Sequence, residues 1–151
     1  MKLDQCELCT RPGGELVFEA PRWRVVLADE PAHPGFCRVI WNAHVREITD
    51  LSPDERSELM DAVWQVEAAV RAVMQPEKVN LASLGNVVPH LHWHVIPRFA
   101  DDAQFPAPIW AAAQRQTANE TLAQRREKLP AVRAEIVRRL TQTQSPDGKT
   151  R

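Results

Sequence analysis

The stretch PHLHWHVIPR, residues 89–98, alternates histidine with apolar residues at three successive positions. Successive side chains of a β-strand point to opposite faces, so one face of such a strand carries His90, His92 and His94. The opposite face carries Leu91, Trp93 and Val95, whose burial anchors a strand in a core. The pattern predicts a strand over Leu91–Ile96, ended by Pro97, with a row of imidazoles on its free side.

The rest of the chain indicates an α+β fold with an antiparallel sheet of about five strands. The other predicted strands are Leu16–Glu19, Trp23–Leu27, Phe36–Trp41 and Lys78–Leu84. One long helix starts after Ser52, with Pro53 at its first position and Glu55 completing a capping box, and stops before Pro76. Hairpin-like connections rather than regular strand-helix alternation favour the antiparallel arrangement.

The domain organisation predicted from these elements is simple. Residues 1–115 form one domain that includes an N-terminal Cys-x-x-Cys arm, and residues 116–142 form a C-terminal helical extension. Two helices are expected there, over Ala118–Leu129 and Pro130–Gln142. The polar residues 143–151 are predicted to be a disordered tail.

Composition excludes several classes of partner. The 151 residues carry a formal net charge of −1, so no overall field favours a nucleic-acid polymer or a membrane surface. No run of 18 apolar residues occurs, and the first residues, MKLDQCELCT, have no apolar leader segment. We therefore expect a cytoplasmic protein with no membrane partner.

Three interpretations of the histidine row are open from the residues themselves. The row is an exposed strand face, a three-histidine catalytic metal centre, or a site of nucleophilic catalysis at phosphorus. Charge repulsion along the row predicts that at least one imidazole has a pKa below the ordinary value of about 6.5. A neutral imidazole has the free lone pair that both a metal ligand and a nucleophile need.

The segment HLHWHVI, residues 90–96, resembles the His-φ-His-φ-His-φ-φ motif (φ, apolar) of the histidine-triad superfamily of nucleotide hydrolases and transferases. The resemblance extends from about Cys6 to Trp110. Residues 81–98 are similar to a bacterial branch described as HIT-like or dinucleoside-polyphosphate-hydrolase-like. The resemblance implies an antiparallel sheet with one long helix, and a homodimer formed through helix and strand.

The resemblance also implies a reaction. The substrate is a nucleoside phosphoramidate or a dinucleoside polyphosphate, cleaved at the α-phosphate through a nucleotidyl-histidine intermediate. His92 takes the position of the nucleophile, and His94 that of the donor to the leaving oxygen. Three further residues match substrate-contacting positions, although each is also a plausible turn, loop or strand residue: Asp29, Asn80 and Asn86.

One departure from the family pattern bears on substrate placement. Relatives often have a histidine where this chain has Phe36, after Pro34-Gly35. Substrate placement is therefore open. Separately, two function classes remain alternatives to the nucleotide hydrolase or transferase: a nucleotide-binding sensor or scaffold without significant catalysis, and a His-ligated metalloenzyme.

Cys6 and Cys9 have the spacing of a zinc-binding pair, and unligated thiols or a redox pair are the alternatives. A redox pair usually follows a strand and opens a helix, which fits poorly with a position this early in the chain. The resemblance implies a structural zinc ion and completes its ligand set as Cys6, Cys9, His44 and His90. No organic cofactor is expected.

Overall fold

Five antiparallel strands form one sheet in the order β1-β2-β3-β5-β4. The computed structural model describes residues 2–144. The strands are β1 (Glu15–Glu19), β2 (Trp23–Leu27), β3 (Cys37–Trp41), β4 (Lys78–Ala82) and β5 (His92–Arg98). The predicted α+β class with a five-stranded antiparallel sheet is confirmed.

The helices are α1 (Glu7–Thr10), α2 (Pro53–Met74), α3 (Asn119–Glu127) and α4 (Leu129–Gln144), with a 3₁₀ turn at Ile48–Asp50. Helix α2 has the predicted start, because Ser52 and Glu55 form a reciprocal capping box. Helix α4 includes positions 143 and 144, which the sequence placed in the tail, and residues 145–151 lie outside the described part. Within residues 2–144, no helix has the length and apolar character needed to cross a bilayer.

Strand β5 departs from its predicted end. Pairing with β3 stops at Val95, but pairing with β4 continues through Pro97, opposite Val79, to Arg98. Proline has no N–H and cannot donate a hydrogen bond to a neighbouring strand, so it rarely occurs where a strand is paired on both sides. It is tolerated here because no β3 partner remains at that position.

The two faces of the sheet pack against different parts of the chain. On one face, Val25, Val39 and Val95 pack with the apolar side of α2. On the other face, Val26 and Ile40 pack against the N-terminal arm, through Cys6 and Leu8. Each fully buried aliphatic side chain contributes about 1.5–3 kcal/mol relative to an exposed one. Both faces of the central strands are therefore covered, and the histidines stand on the face that carries the arm.

The C-terminal helices share the core of the sheet. Helix α4 packs on α2 and on β1, and it buries Val132, Ile136 and Leu140 in the same cluster as the valines of the sheet. An ion pair between Arg133 and Glu15 ties α4 to β1 at the surface. The helical extension thus completes the core on the side away from the histidines.

Candidate active site and metal centre

His92 is held with one ring nitrogen free. The residue lies opposite Ile40 at the start of β5, and its Nδ1 is 2.5 Å from the carbonyl oxygen of His90. A carbonyl oxygen only accepts, so Nδ1 carries the proton and Nε2 keeps its lone pair. Among the described residues, the buried side-chain nitrogens without a partner are Trp93 Nε1 and His94 Nδ1, so His92 Nε2 is not sealed from solvent.

The surroundings of His92 keep its ring neutral. Burial lowers the pKa of His92, and the nearby positive charge of Arg38 lowers it further. The hydrogen bond to the His90 carbonyl opposes them by raising the pKa, but it does not outweigh them. A neutral ring with an unprotonated, reachable Nε2 has what nucleophilic attack requires.

His94 lies in a mostly aromatic enclosure. Its ring centroid is 4.8 Å from that of His92, 5.4 Å from Phe36 and 5.2 Å from Trp110. Burial is the largest cause that lowers the pKa of His94 to about 3, and the proximity of His92 and Arg38 lowers it further. A buried N–H without a partner costs more than a buried acceptor, so we place the proton on Nε2 rather than on the unpartnered Nδ1. His94 can then donate a hydrogen bond while it stays neutral at pH 7.

Both histidines line one small cavity of about 140 Å³. Its lining residues are Glu7, Leu8, Gly13, Arg38, Val88, His92 and His94. The sequence interpretation missed Arg38, although a single cation within the apolar strand sequence FCRVIW was a signal. Arg38 lies opposite His94 in the β3–β5 register and on the same face as Ile40.

Gly13 allows the arm to approach this cavity closely. Its φ of +85° favours glycine, and a Cβ atom there would lie 2.7 Å from Leu8 Cδ2 and 2.9 Å from Ile40 Cδ1. The Gly13 carbonyl accepts a 2.8 Å hydrogen bond from Arg38 Nη1. A larger residue at position 13 would displace the acceptor that orients the guanidinium.

The three predicted substrate-contacting residues do not line this cavity. Asp29 lines a separate cavity of about 480 Å³, together with Arg126 and Leu129. The Asn80 side chain accepts a 2.7 Å hydrogen bond from Arg98 Nη1, and Asn86 is exposed in the loop between β4 and β5. Their assignment to substrate binding stays a prediction.

The four predicted metal ligands come together from three separate parts of the chain. The ligand atoms of Cys6, Cys9, His44 and His90 all lie within 4.8 Å of one another. Nδ1 of His90 is 3.4 Å from Cys6 Sγ and 3.5 Å from Cys9 Sγ, and Nδ1 of His44 is 3.5 Å from Cys9 Sγ. Zn–S bonds of about 2.3 Å and Zn–N bonds of about 2.0 Å, set tetrahedrally, give S···N edges of about 3.5 Å. The donor set fits a zinc ion in both chemistry and spacing.

The ring of His90 is oriented for ligation. Its Nε2 donates a 2.6 Å hydrogen bond to the carbonyl oxygen of Trp41, so the Nδ1 lone pair faces the two thiols. Burial lowers the pKa of His90, which favours the neutral form that binds metal. Arg24 fixes the arm that brings the thiols, through hydrogen bonds of 2.7 Å to Leu8 O and 2.9 Å to Pro12 O.

A buried ion pair, also missed from the sequence, holds the loop that follows β5. Arg98 donates to Asp102 through Nε at 2.7 Å and through Nη2 at 3.0 Å, and Nη2 also reaches Ala107 O at 2.7 Å. Burial raises the pKa of Asp102, but the bonds from Arg98 and from backbone N–H groups outweigh it and hold the pKa at about 2. The fixed loop leads to Trp110, which covers His94.

The sheet, the paired histidines on β5 and the Cys/His cluster beneath them define a protein of the histidine-triad type. The chain matches the model of the HIT domain over residues 13–101, more than half of its length. It therefore belongs to the HIT domain family.

Two curated relatives are similar to part of the chain. An AP-4-A phosphorylase from Mycobacterium tuberculosis is 32% identical over 98 residues, which cover 61% of this chain and 47% of that protein. A bis(5'-nucleosyl)-tetraphosphatase (asymmetrical) from Schizosaccharomyces pombe is 26% identical over 114 residues, which cover 72% of this chain and 63% of that protein. The chain thus spans about half to two thirds of the length of these relatives.

Solved structures share the fold over most of the chain. A histidine triad protein from Bradyrhizobium japonicum superposes with a TM-score of 0.67 at 28% identity, covering 81% of this chain and 91% of that one. A zinc-bound histidine triad family protein from Mycobacterium smegmatis superposes with a TM-score of 0.62 at 20% identity, covering 91% and 96%.

Proposed function

We propose that the protein is a nucleotide hydrolase or nucleotidyltransferase that acts at the α-phosphate through His92. The substrates are nucleoside phosphoramidates or dinucleoside polyphosphates. The observation that carries this proposal is the 2.5 Å contact between His92 Nδ1 and the His90 carbonyl, which leaves Nε2 unprotonated beside a cavity that contains a guanidinium. The names of the two curated relatives, which concern dinucleoside tetraphosphates, support this substrate class.

The reaction has two displacement steps. In the first, His92 Nε2 forms a bond to the α-phosphorus, and the bond from phosphorus to the leaving group breaks with its electron pair on the leaving atom. The His90 carbonyl stabilises the positive charge that develops on the ring. In the second step water, or a phosphate ion in a transferase, displaces the ring and releases the nucleotide, and the proton of an attacking water passes to solvent. His94 donates a hydrogen bond to the leaving atom.

Replacement of the nucleophile is the direct test. The His92→Asn variant should retain its fold and lose at least about 10³-fold in kcat, because the asparagine has no ring nitrogen to form the bond to phosphorus. Wild-type protein quenched during turnover of a dinucleoside tetraphosphate should carry a nucleotidyl adduct on His92, detected by mass spectrometry. An active His92→Asn variant would exclude the proposal.

The two alternatives give different results in the same assays. A sensor or scaffold binds nucleotide with no release of AMP and no adduct. A metalloenzyme loses all turnover on chelation and forms no covalent intermediate. Among the described residues, the group that could hold a metal ion consists of Cys6, Cys9, His44 and His90, and neither His92 nor His94 belongs to it, which favours nucleophilic catalysis.

We further propose that the Cys6, Cys9, His44 and His90 cluster binds a structural zinc ion. When bound, the ion supplies a cross-link between the N-terminal arm and the start of β5 and takes no part in the displacement. The support is the 3.4–3.5 Å spacing of sulfur and nitrogen donors. The zinc-bound relative from M. smegmatis is in accord with it.

The homodimer stays a prediction. Strand β4 is an edge of the sheet, and Leu81 on it and Trp64 on α2 are 37% and 54% exposed. Apolar side chains on an edge strand and a neighbouring helix are suited to pairing with a second copy. Sedimentation velocity measures the state directly.

A further inference from the structure

We propose that Arg38 binds the phosphate chain on the leaving side of the bond that is cleaved, so that the site selects substrates whose leaving group is a phosphate anion rather than an amine. This inference rests on the proposed function, because it assigns the leaving group of the reaction at His92. It narrows the two substrate classes to one, the polyphosphates.

The position of Arg38 places its charge at the reacting centre. Arg38 and His94 are directly opposite in the β3–β5 register, and such pairs have Cβ atoms about 4.5–5.5 Å apart on the same face. Arg38 and His92 line the same cavity of about 140 Å³. A phosphorus atom within reach of His92 therefore has its neighbouring phosphates within reach of Arg38 or of His94.

The guanidinium is fixed but keeps donors free. Nη1 donates to the Gly13 carbonyl at 2.8 Å, and Cζ lies 5.1 Å from the centre of the Phe36 ring. Nε and Nη2 have no hydrogen-bond partner among the residues that the structure describes. A planar, held guanidinium with an open donor edge is preorganised for a phosphate oxygen. Phe36, the departure from the family pattern, serves as the surface on which this cation rests.

Two other arginines, Arg24 and Arg98, are more deeply buried than Arg38 and are used differently. Arg24 donates to four acceptors, which are Leu8 O, Arg11 O, Pro12 O and Asn42 Oδ1. Arg98 has a bidentate carboxylate partner in Asp102. In each of them all three guanidinium nitrogens donate hydrogen bonds to the protein, which indicates a structural role.

Arg38 has no carboxylate within 4.0 Å in the described part of the chain. Glu7 and Glu30 raise its pKa from farther away. Burial lowers that pKa more than they raise it. A partly buried cation without an ion-pair partner, in a cavity beside a nucleophile, is a binding position for an anion.

The chemistry of departure agrees with this placement. When the P–O bond to a polyphosphate breaks, the electron pair passes to an oxygen that is stable as an anion, and Arg38 stabilises that charge without a proton transfer. An amine must gain a proton as the P–N bond breaks. His94 is a poor source of that proton, because its pKa is lowered to about 3 and it is neutral at pH 7.

The test compares two substrates that share the same nucleoside and α-phosphate. One is diadenosine tetraphosphate and the other is adenosine 5'-phosphoramidate. Arg38→Gln should lower kcat/KM for the tetraphosphate by about 10- to 100-fold, and for the phosphoramidate by no more than about threefold. Arg71→Gln is the matched control, because Arg71 is exposed on α2, and it should change neither value.

A binding experiment supports the test even if Arg38→Gln turns over neither substrate. In the His92→Asn background, calorimetry should show that ADP binds about 10-fold more tightly than AMP, and Arg38→Gln should abolish that difference while Arg38→Lys retains part of it. Circular dichroism and thermal unfolding establish that each variant is folded. If Arg38→Gln does not fold, the role of Arg38 is still tested by comparing ADP with AMP binding in the His92→Asn protein with and without Arg38→Lys.

The outcomes separate this inference from the proposed function. Equal losses for both substrates, or equal binding of ADP and AMP with Arg38 intact, would overturn the role of Arg38 and leave nucleophilic catalysis standing. Absence of any turnover and of any adduct on His92, with ADP still bound more tightly than AMP, would overturn the proposed function and leave the anion site standing.

Discussion

Both ring nitrogens and the carbonyl oxygen of His90 take part in contacts, and these contacts belong to two neighbouring sites. Its Nδ1 faces Cys6 and Cys9, its Nε2 donates to Trp41 O, and its carbonyl accepts from His92 Nδ1. One residue therefore provides a candidate metal ligand and fixes the tautomer of the candidate nucleophile. A change at position 90 would disturb both sites at once, and its effect on activity would not identify which one mattered.

His94 makes stability depend on pH. Its pKa is about 3 in the fold and near 6.5 in an unfolded chain, so between these values the unfolded chain binds one more proton. The free energy of unfolding should therefore fall as pH decreases from 6.5 to 3, and His94 should contribute up to about 1.4 kcal/mol per pH unit.

Urea denaturation of wild type and His94→Gln at a series of pH values measures this contribution. The variant should show a shallower loss of stability over that window, whatever its stability at pH 7. Superimposable slopes for the two proteins would contradict the lowered pKa.

At the level of single residues, the sequence was informative where a motif was present. The alternating histidines and the Cys-x-x-Cys spacing, read with the family resemblance, pointed to residues that the structure brings together. Arg38 has no motif, because its significance depends on the register of β3 against β5 and on the Gly13 carbonyl, which comes from a distant part of the chain. Asp29 and Asn86 were assigned from the family resemblance, and they do not line the cavity that contains His92 and His94. Their role stays a prediction.

Secondary-structure elements with strong local signals were predicted closely. Helix α2 has a proline, a capping box and an apolar stripe, and β2 was predicted with the bounds that it has in the structure. The strand was predicted to end before Pro97 but continues to Arg98, because β3 does not extend to that position and no hydrogen bond to β3 is lost there. That information lies in the pairing of strands and is absent from the local sequence.

The loop after β5 should depend on its buried ion pair. Asp102→Asn leaves Arg98 as a buried cation with weaker acceptors, so we expect a loss of about 3–5 kcal/mol in the free energy of unfolding at pH 7. Asp101→Asn removes an exposed ion pair with Arg125 and should cost less than about 1 kcal/mol. Chemical denaturation of both variants makes the comparison.

The stability that the Arg98–Asp102 pair contributes depends on pH. The pKa of Asp102 is lowered from 3.8 to about 2, so its contribution is present above pH 4 and is lost as pH falls toward 2. Asp102→Asn should remove that part of the acid dependence. A variant as stable as wild type at pH 7 would show that the ion pair contributes little to the fold.

At the scale of the molecule, the sheet separates two layers with different roles. Helices α2 and α4 build the core on one face, and the arm and the loop after β5 build the candidate sites on the other. The sequence predicted the C-terminal helices but not their docking on α2 and β1, because their apolar positions do not specify a partner. Helix α4, which the sequence placed in a C-terminal extension, contributes buried side chains to the core.

Removal of zinc should loosen the arm and leave the helical layer intact. Protein purified without chelator should contain about one zinc ion per chain, and Cys9→Ser should contain almost none. Elemental analysis measures the content, and hydrogen exchange should show loss of protection in residues 6–14.

Cys37→Ala is the matched control, because this thiol is buried between strands and burial raises its pKa to about 12. The zinc content of Cys37→Ala should equal that of wild type, even though the cavity left by the missing sulfur lowers stability. Wild-type protein without zinc, or Cys9→Ser with a full complement, would contradict the assignment of the metal centre.

The separation of 84 residues between Cys6 and His90 also sets an order of events during synthesis. At about 5–20 residues per second, the ribosome delivers the cysteines several seconds before the histidine that completes their set. The nascent chain therefore contains the Cys6 and Cys9 thiols, without His90, while most of the sheet is being synthesised. A chain that stops before residue 90 therefore contains both cysteines but lacks the histidine that completes the candidate metal site.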